Sequence, residues 1–131
     1  MSSSVSVDPA SMAILMTKVG VGLLLDGIHE LNYTCEMNQQ MQNCQGQKTA
    51  VQLLIKNHQG EKIGVRTNEK GEAEFILQDL QSVSALESIK QIRQRYLKYK
   101  VLHEVTQQGY KQVKQEKLPN GSIRIVVEKW E

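Results

Sequence analysis

Ala50-Val51-Gln52-Leu53-Leu54-Ile55, then Lys62-Ile63-Gly64-Val65-Arg66-Thr67, then Ala73-Glu74-Phe75-Ile76-Leu77, are three short apolar runs. Between them lie short polar junctions that contain the turns His58-Gln59-Gly60-Glu61 and Asn68-Glu69-Lys70-Gly71. Period-two alternation in the second run and turn residues at both junctions specify β-strands joined by tight hairpins, because side chains alternate faces along a strand and Gly supplies positive φ in a turn. The stretch therefore reads as a three-stranded antiparallel meander. Its exposed face must be covered, and the flanking sequence supplies two helices for that purpose.

Upstream, Asp8-Pro9 has the form of a helix start: a carboxylate that accepts from free N–H groups, followed by a residue with no N–H to leave unpaired. Leu15, Met16, Val19, Leu24, Ile28 and Leu31 recur at helical spacing. Gly20 and Gly22 each cost about 1 kcal/mol against Ala in a helix interior, so a bend or break is expected there. Asn32 suits the left-handed helix exit, and Tyr33 to Met37 reads as a strand. Residues 38–48 are rich in Gln with little to bury, and are expected to form a long surface loop. Residues 1–8 are Ser-rich and are expected to be flexible.

Downstream, Ser84 with Glu87 three positions later has the capping-box pattern, and Gly109 closes a helix of about 25 residues. Tyr110–Lys117 and Ile123–Trp130 flank Leu118-Pro119-Asn120-Gly121-Ser122, a proline- and glycine-containing turn, and form a terminal hairpin expected to extend the meander. The 131 residues amount to one α+β domain: an antiparallel sheet, meander plus C-terminal hairpin, packed with two helices. No 20–50-residue repeat is present.

Composition excludes several classes. Hydrophobic residues make up 40% and charged residues 23%, which excludes wholesale disorder. The apolar run Ala13–Leu25 is interrupted by Lys18 and two glycines and has no basic segment before it, so neither a membrane span nor a secretory signal is read. Without a secretory route, the acceptor-like triplets at Asn32 and Asn120 carry no weight. Cys35 and Cys44 are too few for a disulfide scaffold or a zinc site and fit a reducing compartment, with Cys35 placed as a small buried apolar residue. Gly20-Val21-Gly22 lacks both the third glycine and the preceding strand of a dinucleotide-binding turn. His29-Glu30 lacks the second histidine of a zinc-protease helix, since Tyr33 stands where it is needed. His29, His58 and His103 are scattered, with no nucleophile placed by spacing. The chain reads as no enzyme, with no cofactor and no metal.

The second helix is the most informative element. From Ser84 to Lys117 there are eight cations against three carboxylates, a local charge of +5 that leaves −3 for the rest of a chain whose total is +2. At 100° per residue, Ile89, Ile92, Tyr96, Tyr99 and His103 fall within about 80° of one another, while Leu86, Leu97, Val101 and Val105 form a second sector. A helix apolar on two sides needs more cover than one sheet provides. Arg93, Arg95, Lys98 and Lys100 border Tyr96 and Tyr99, and these six are the candidate partner-binding residues. Two readings stay open. Protein contacts, to another protein or an identical subunit, would cover the spare apolar side; alternatively, aromatics interleaved with cations would bind nucleic acid through base stacking and phosphate neutralisation. Against both stands the reading in which the tyrosines are core and the cations extend around them to solvent.

Gln94-Arg95-Tyr96-Leu97-Lys98-Tyr99-Lys100-Val101-Leu102-His103-Glu104, Gln108-Gly109-Tyr110 and Asn120-Gly121-Ser122-Ile123-Arg124-Ile125-Val126-Val127-Glu128-Lys129-Trp130 closely resemble the end of a family. This is the hypothetical chloroplast reading frame thirty-five group, domain of unknown function twelve fifty-seven. Leu31-Asn32-Tyr33 is similar to its helix exit and Gln45-Gly46-Gln47 to its Gly-Gln segment, so the likeness spans residues 27–131. The chain departs from the family in its Ser-rich start, in the absence of an aromatic near Cys44, and in lacking a Trp-Gly pair near Gln81-Ser82. The resemblance implies no activity. By gene neighbourhood it implies an accessory role beside an AAA-type ATPase, in the cytoplasm or, if plastid-encoded, the plastid stroma.

Overall fold

The computed structural model describes residues 2–7, 13–119 and 123–129. In chain order these form β1 (Ser2–Val7), α1 (Lys18–Glu30), β2 (Thr34–Gln42), β3 (Lys48–Lys56), β4 (Lys62–Thr67), β5 (Ala73–Leu77), α2 (Val83–Gln107), β6 (Tyr110–Lys117) and β7 (Ile123–Lys129). The class is α+β with antiparallel sheets, as the sequence predicts. The strands, however, make two sheets: β2-β3-β4-β5 and β1-β7-β6.

The meander gains a fourth strand. Residues expected to be a loop at 38–48 continue β2 to Gln42, paired in register with β3 from Thr34 opposite Lys56 to Gln42 opposite Lys48. Only residues 43–47 turn. Glutamine-rich sequence suffices because β2 is an edge strand with most of its side chains in solvent, and Met41, at 4% exposure, is its one buried residue. All three hairpin turns share one device. Asn43, Asn57 and Asn68 each accept two backbone N–H bonds through Oδ1, and Gly46, Gly60 and Gly71, three residues on, adopt φ of 77–78°.

Val51 and Leu54, of opposite parity on β3, lie in one cluster with Met41 and Ile76, so the distal β2–β3 hairpin bends over the face of the sheet away from the helices. Asn38 lies at the bend with φ +55°. Gly64 lies beneath it: a Cβ there would be 2.5 Å from Met41 Sδ and 2.6 Å from Val51 Cγ1.

The first helix starts later than expected. The Asp8-Pro9 start lies outside the described residues, and residues 13–17 are not helical. Met16 N–H donates to Gly71 O and Ala73 N–H to Ile14 O, so this segment lies against the start of β5 and inserts Ile14 into the core. Thr17 then caps α1, its hydroxyl accepting from Gly20 N–H at 3.0 Å. The helix runs unbroken through both glycines. Gly20 sits in the first turn where a Cβ would meet Leu15 O, and Gly22 faces open space. Leu31 and Asn32, with φ +59°, end it as expected.

The second helix begins two residues earlier than expected. Ser82, not Ser84, caps it by accepting from Ala85 N–H at 3.2 Å, and Glu87 accepts from Gln91 rather than closing a capping box. The hairpin β6–β7 has the expected strands, with Trp130 and the turn residues 120–122 outside the described residues. It does not extend the meander. Its partner is β1, in the segment expected to be flexible, paired with β7 from Ser2 opposite Glu128 to Val7 opposite Ile123.

Both apolar sectors of α2 are therefore used within the chain from Ile89 onward, while Leu86 near its start stays exposed. Ile92 and Tyr96 join Leu24 and Ile28 of α1 and Leu53, Ile55, Ile63 and Val65 of the meander in the main core. Leu97, with Val101, Leu102 and Val105 beside it, packs on Ile125 and Val127 of the second sheet.

Candidate functional site

The six candidate residues are divided by the structure. Tyr96 is 1% exposed, and its hydroxyl accepts from Leu15 N–H at 3.3 Å. Lys98 is buried, with Nζ 2.5 Å from both oxygens of Glu30. Arg95 Nε lies 3.0 Å from Glu30 Oε1 without the alignment of a hydrogen bond, and Nη1 donates to Gln94 Oε1 at 2.9 Å. Tyr99 is half-buried beside the same carboxylate, with Lys98 Nζ 4.7 Å from its ring centroid. Arg93 turns the other way, its guanidinium 5.0 Å above the Phe75 ring. Lys100 is half-buried.

Arg95, Lys98 and Tyr99 thus converge on Glu30, at the end of α1, and fasten the two helices. Gly27 lets the helices approach, since a Cβ there would lie 2.9 Å from Arg95 Cβ and 3.2 Å from Tyr96 N. Burial alone would raise the Glu30 pKa, but hydrogen bonds from Lys98 and Tyr99 and the charges of Lys98 and Arg95 outweigh it and hold the carboxyl below its ordinary value. The Tyr99 phenol is pushed up to about 12, chiefly by its hydrogen bond to Glu30 and then by burial. Sequence reading missed Glu30 because 68 residues separate it from Lys98, and no local pattern links them.

A second polar set fixes the start of α2. Glu61, in the β3–β4 turn, accepts from the Ser82 and Ser84 hydroxyls and, at 3.1 Å, from Asn57 Nδ2. These bonds, that from Ser82 foremost, hold its carboxyl below the ordinary value. Buried Asn57 also donates to Ser88 Oγ at 3.0 Å. Tyr33 donates to the same oxygen at 3.4 Å, and its ring stands edge-on to His58 with centroids 4.9 Å apart.

Cys35 lies in the shallow cleft between α1 and β2, lined also by Leu25, Asp26, His29 and Tyr33. Its thiol is pushed up by burial and by the charge of Glu36, which disfavours the thiolate needed of a nucleophile. Cys44 is exposed on the β2–β3 turn. Among the described residues no three His, Cys, Asp or Glu side chains gather as a metal site.

What the chain leaves open is apolar surface where α2 begins. Val83, Leu86, Leu97 and Val101 lie within about 60° of one another around the helix. The second sheet covers this stripe from Leu97 onward, but Val83 is 81% exposed and Leu86 48%, with Leu80 just before them at 61%.

A family described as "Protein of unknown function (DUF1257)" matches residues 27–126. The chain belongs to this family. Within DUF1257 it is similar to the "Uncharacterized protein ycf35" of Cyanophora paradoxa, with 31% identity over 97 residues that cover 70% of this chain and 73% of the relative. No solved structure matches the chain. The family match includes the last turn of α1, the whole meander, α2 and β6, ends within β7, and leaves β1 and most of α1 outside. No helix among the described residues is long and apolar enough to cross a membrane.

Proposed function

We propose that this DUF1257 protein is a non-catalytic accessory protein that works by docking a protein partner at the start of α2. The observation that carries the proposal is the exposed apolar run Leu80, Val83 and Leu86. It continues a helix stripe that the chain's own second sheet buries downstream, so a partner placed there would complete a surface the fold leaves unfinished. The start of α2 is also held in place: Glu61 bonds both Ser82 and Ser84 in its first turn, so the surface needs little ordering on binding. Phosphate binding fits the geometry less well, because Arg95 and Lys98 are engaged by Glu30.

The partner to test first is the AAA-type ATPase implied by gene neighbourhood, in the cytoplasm or plastid stroma. Co-purification of that ATPase with the wild-type chain, lost in the Val83→Asp/Leu86→Asp variant, is the expected result. Both substituted side chains are exposed, so circular dichroism of the variant should match wild type. Equal capture by both forms removes the α2 surface from the proposal. Failure of both, with salt-sensitive binding of a single-stranded oligonucleotide, favours the nucleic-acid reading.

A further inference from the structure

Sheet edges present unpaired N–H and C=O groups that template association, and proteins ordinarily guard them with charge, proline, bulges or cover. In this chain the start of β5 is covered by Ile14–Met16, which bond to Gly71 and Ala73. The edge strand β6 carries Lys111, Lys114 and Lys117 and a bulge between Gln112 and Lys114. The edge strand β1 is six residues long. The nine residues of β2 stand apart: Thr34-Cys35-Glu36-Met37-Asn38-Gln39-Gln40-Met41-Gln42 contains one charge, no lysine and no proline. Among the described residues nothing pairs with its outer side. Met37, in the middle of this edge, is 55% exposed.

We propose that the outer edge of β2 pairs antiparallel with β2 of a second copy of this chain, about a two-fold axis at Asn38, joining two meanders into one eight-stranded sheet. Two observations select the occupant and the register. The first is the bend at Asn38, whose φ of +55° would disrupt pairing with a straight strand. A two-fold axis perpendicular to the sheet preserves its faces, so two copies centred on Asn38 bend at the same place and toward the same side. Any other register sets the bend of one strand against a straight part of the other.

The second observation is charge. In this register Glu36 lies opposite Gln40 of the second copy, so the only charged side chains on the two strands avoid each other, and Met37 lies opposite Gln39. Met37 gains apolar cover near the axis. Gln39 Nε2, which donates to Met37 O at 3.2 Å in the single chain, would release that carbonyl. A contact of this size is small, so the association is expected to be weak and concentration-dependent.

Sedimentation equilibrium of the full chain should give a reversible monomer–dimer equilibrium. Gln40→Glu creates two like-charge pairs with Glu36 across the axis and should weaken dimerisation by roughly two- to thirtyfold, the range expected for two such cross-strand pairs. Gln40→Lys should strengthen it, and Glu36→Lys/Gln40→Glu should recover it by reversing the sign of each pair. Residues 36 and 40 are both exposed, so the monomer fold is unaffected. A chain that stays monomeric at its solubility limit, or a dimer indifferent to these charges, overturns the proposal. Neither result bears on the α2 docking surface, which is read separately at Val83 and Leu86.

Discussion

Glu30 ends α1 with a negative charge where the helix already presents unpaired carbonyls, an unfavourable position for a carboxylate. Lys98 and Arg95 of α2 compensate it, and the phenol of Tyr99 completes the set. The sign of the pH dependence follows. The Glu30 carboxyl titrates below its ordinary 4.5 in the folded chain, so its contribution is present above that value and is lost as pH falls through the folded pKa. Tyr99 has its pKa raised from 10 to about 12, so the unfolded chain releases that proton first, and stability present below pH 10 declines as pH rises towards 12. Glu30→Gln should flatten both limbs in urea unfolding followed against pH. It should also return the Tyr99 tyrosinate absorbance transition towards 10, identified by its absence in Tyr99→Phe. An unchanged alkaline transition in Glu30→Gln would show that the hydrogen bond does not set the Tyr99 pKa. The sequence names every member of this cluster as a residue type, but not the pairing.

At the scale of elements, the α1–α2 contact is set by a glycine that the helical pattern alone does not single out. Gly20 and Gly22 attract attention because they lie together, yet Gly22 has nothing within 4 Å of its missing Cβ, whereas Gly27 lies against Arg95 and the Tyr96 backbone. Gly22→Ala should therefore stabilise the chain by about 1 kcal/mol through helix propensity. Gly27→Ala gains the same propensity but must push α2 away, an overpacking cost of ~1–3 kcal/mol that should leave it no more stable than wild type. Denaturant midpoints of the two variants check the contrast; equal stabilisation would mean that the helices separate freely. The meander was legible because its turns and alternation are local, and α2 because 25 residues of helical spacing are hard to mistake. The length of β2 was not legible. An edge strand needs no apolar alternation, so Gln39, Gln40 and Gln42 look the same in a strand as in a loop.

In the whole molecule, α2 is shared: its first half belongs to the main core and its second half to the core under β1-β7-β6. Tyr96 and Leu97 are adjacent, and each is 1% exposed, one in each core. Loss of packing in the second core should therefore be felt in the first. Ile125→Ala, at a fully buried position on β7, should cost ~2–5 kcal/mol. In native-state hydrogen exchange it should lower protection of β3 and β4 amides along with those of β7, whereas protection lost in β7 alone would mark the second sheet as an independently melting unit. The sequence by itself determined the end of α1, nearly all of α2, the strands β3, β4 and β5 and the two strands of the terminal hairpin, because each is encoded in spacings of a few residues. Tertiary structure decided that the hairpin pairs with β1, that Tyr96 and Lys98 lie inside and Val83 outside, and that Glu30 meets Lys98. Those outcomes depend on which surfaces meet after long loops close, and local periodicity carries no term for that choice.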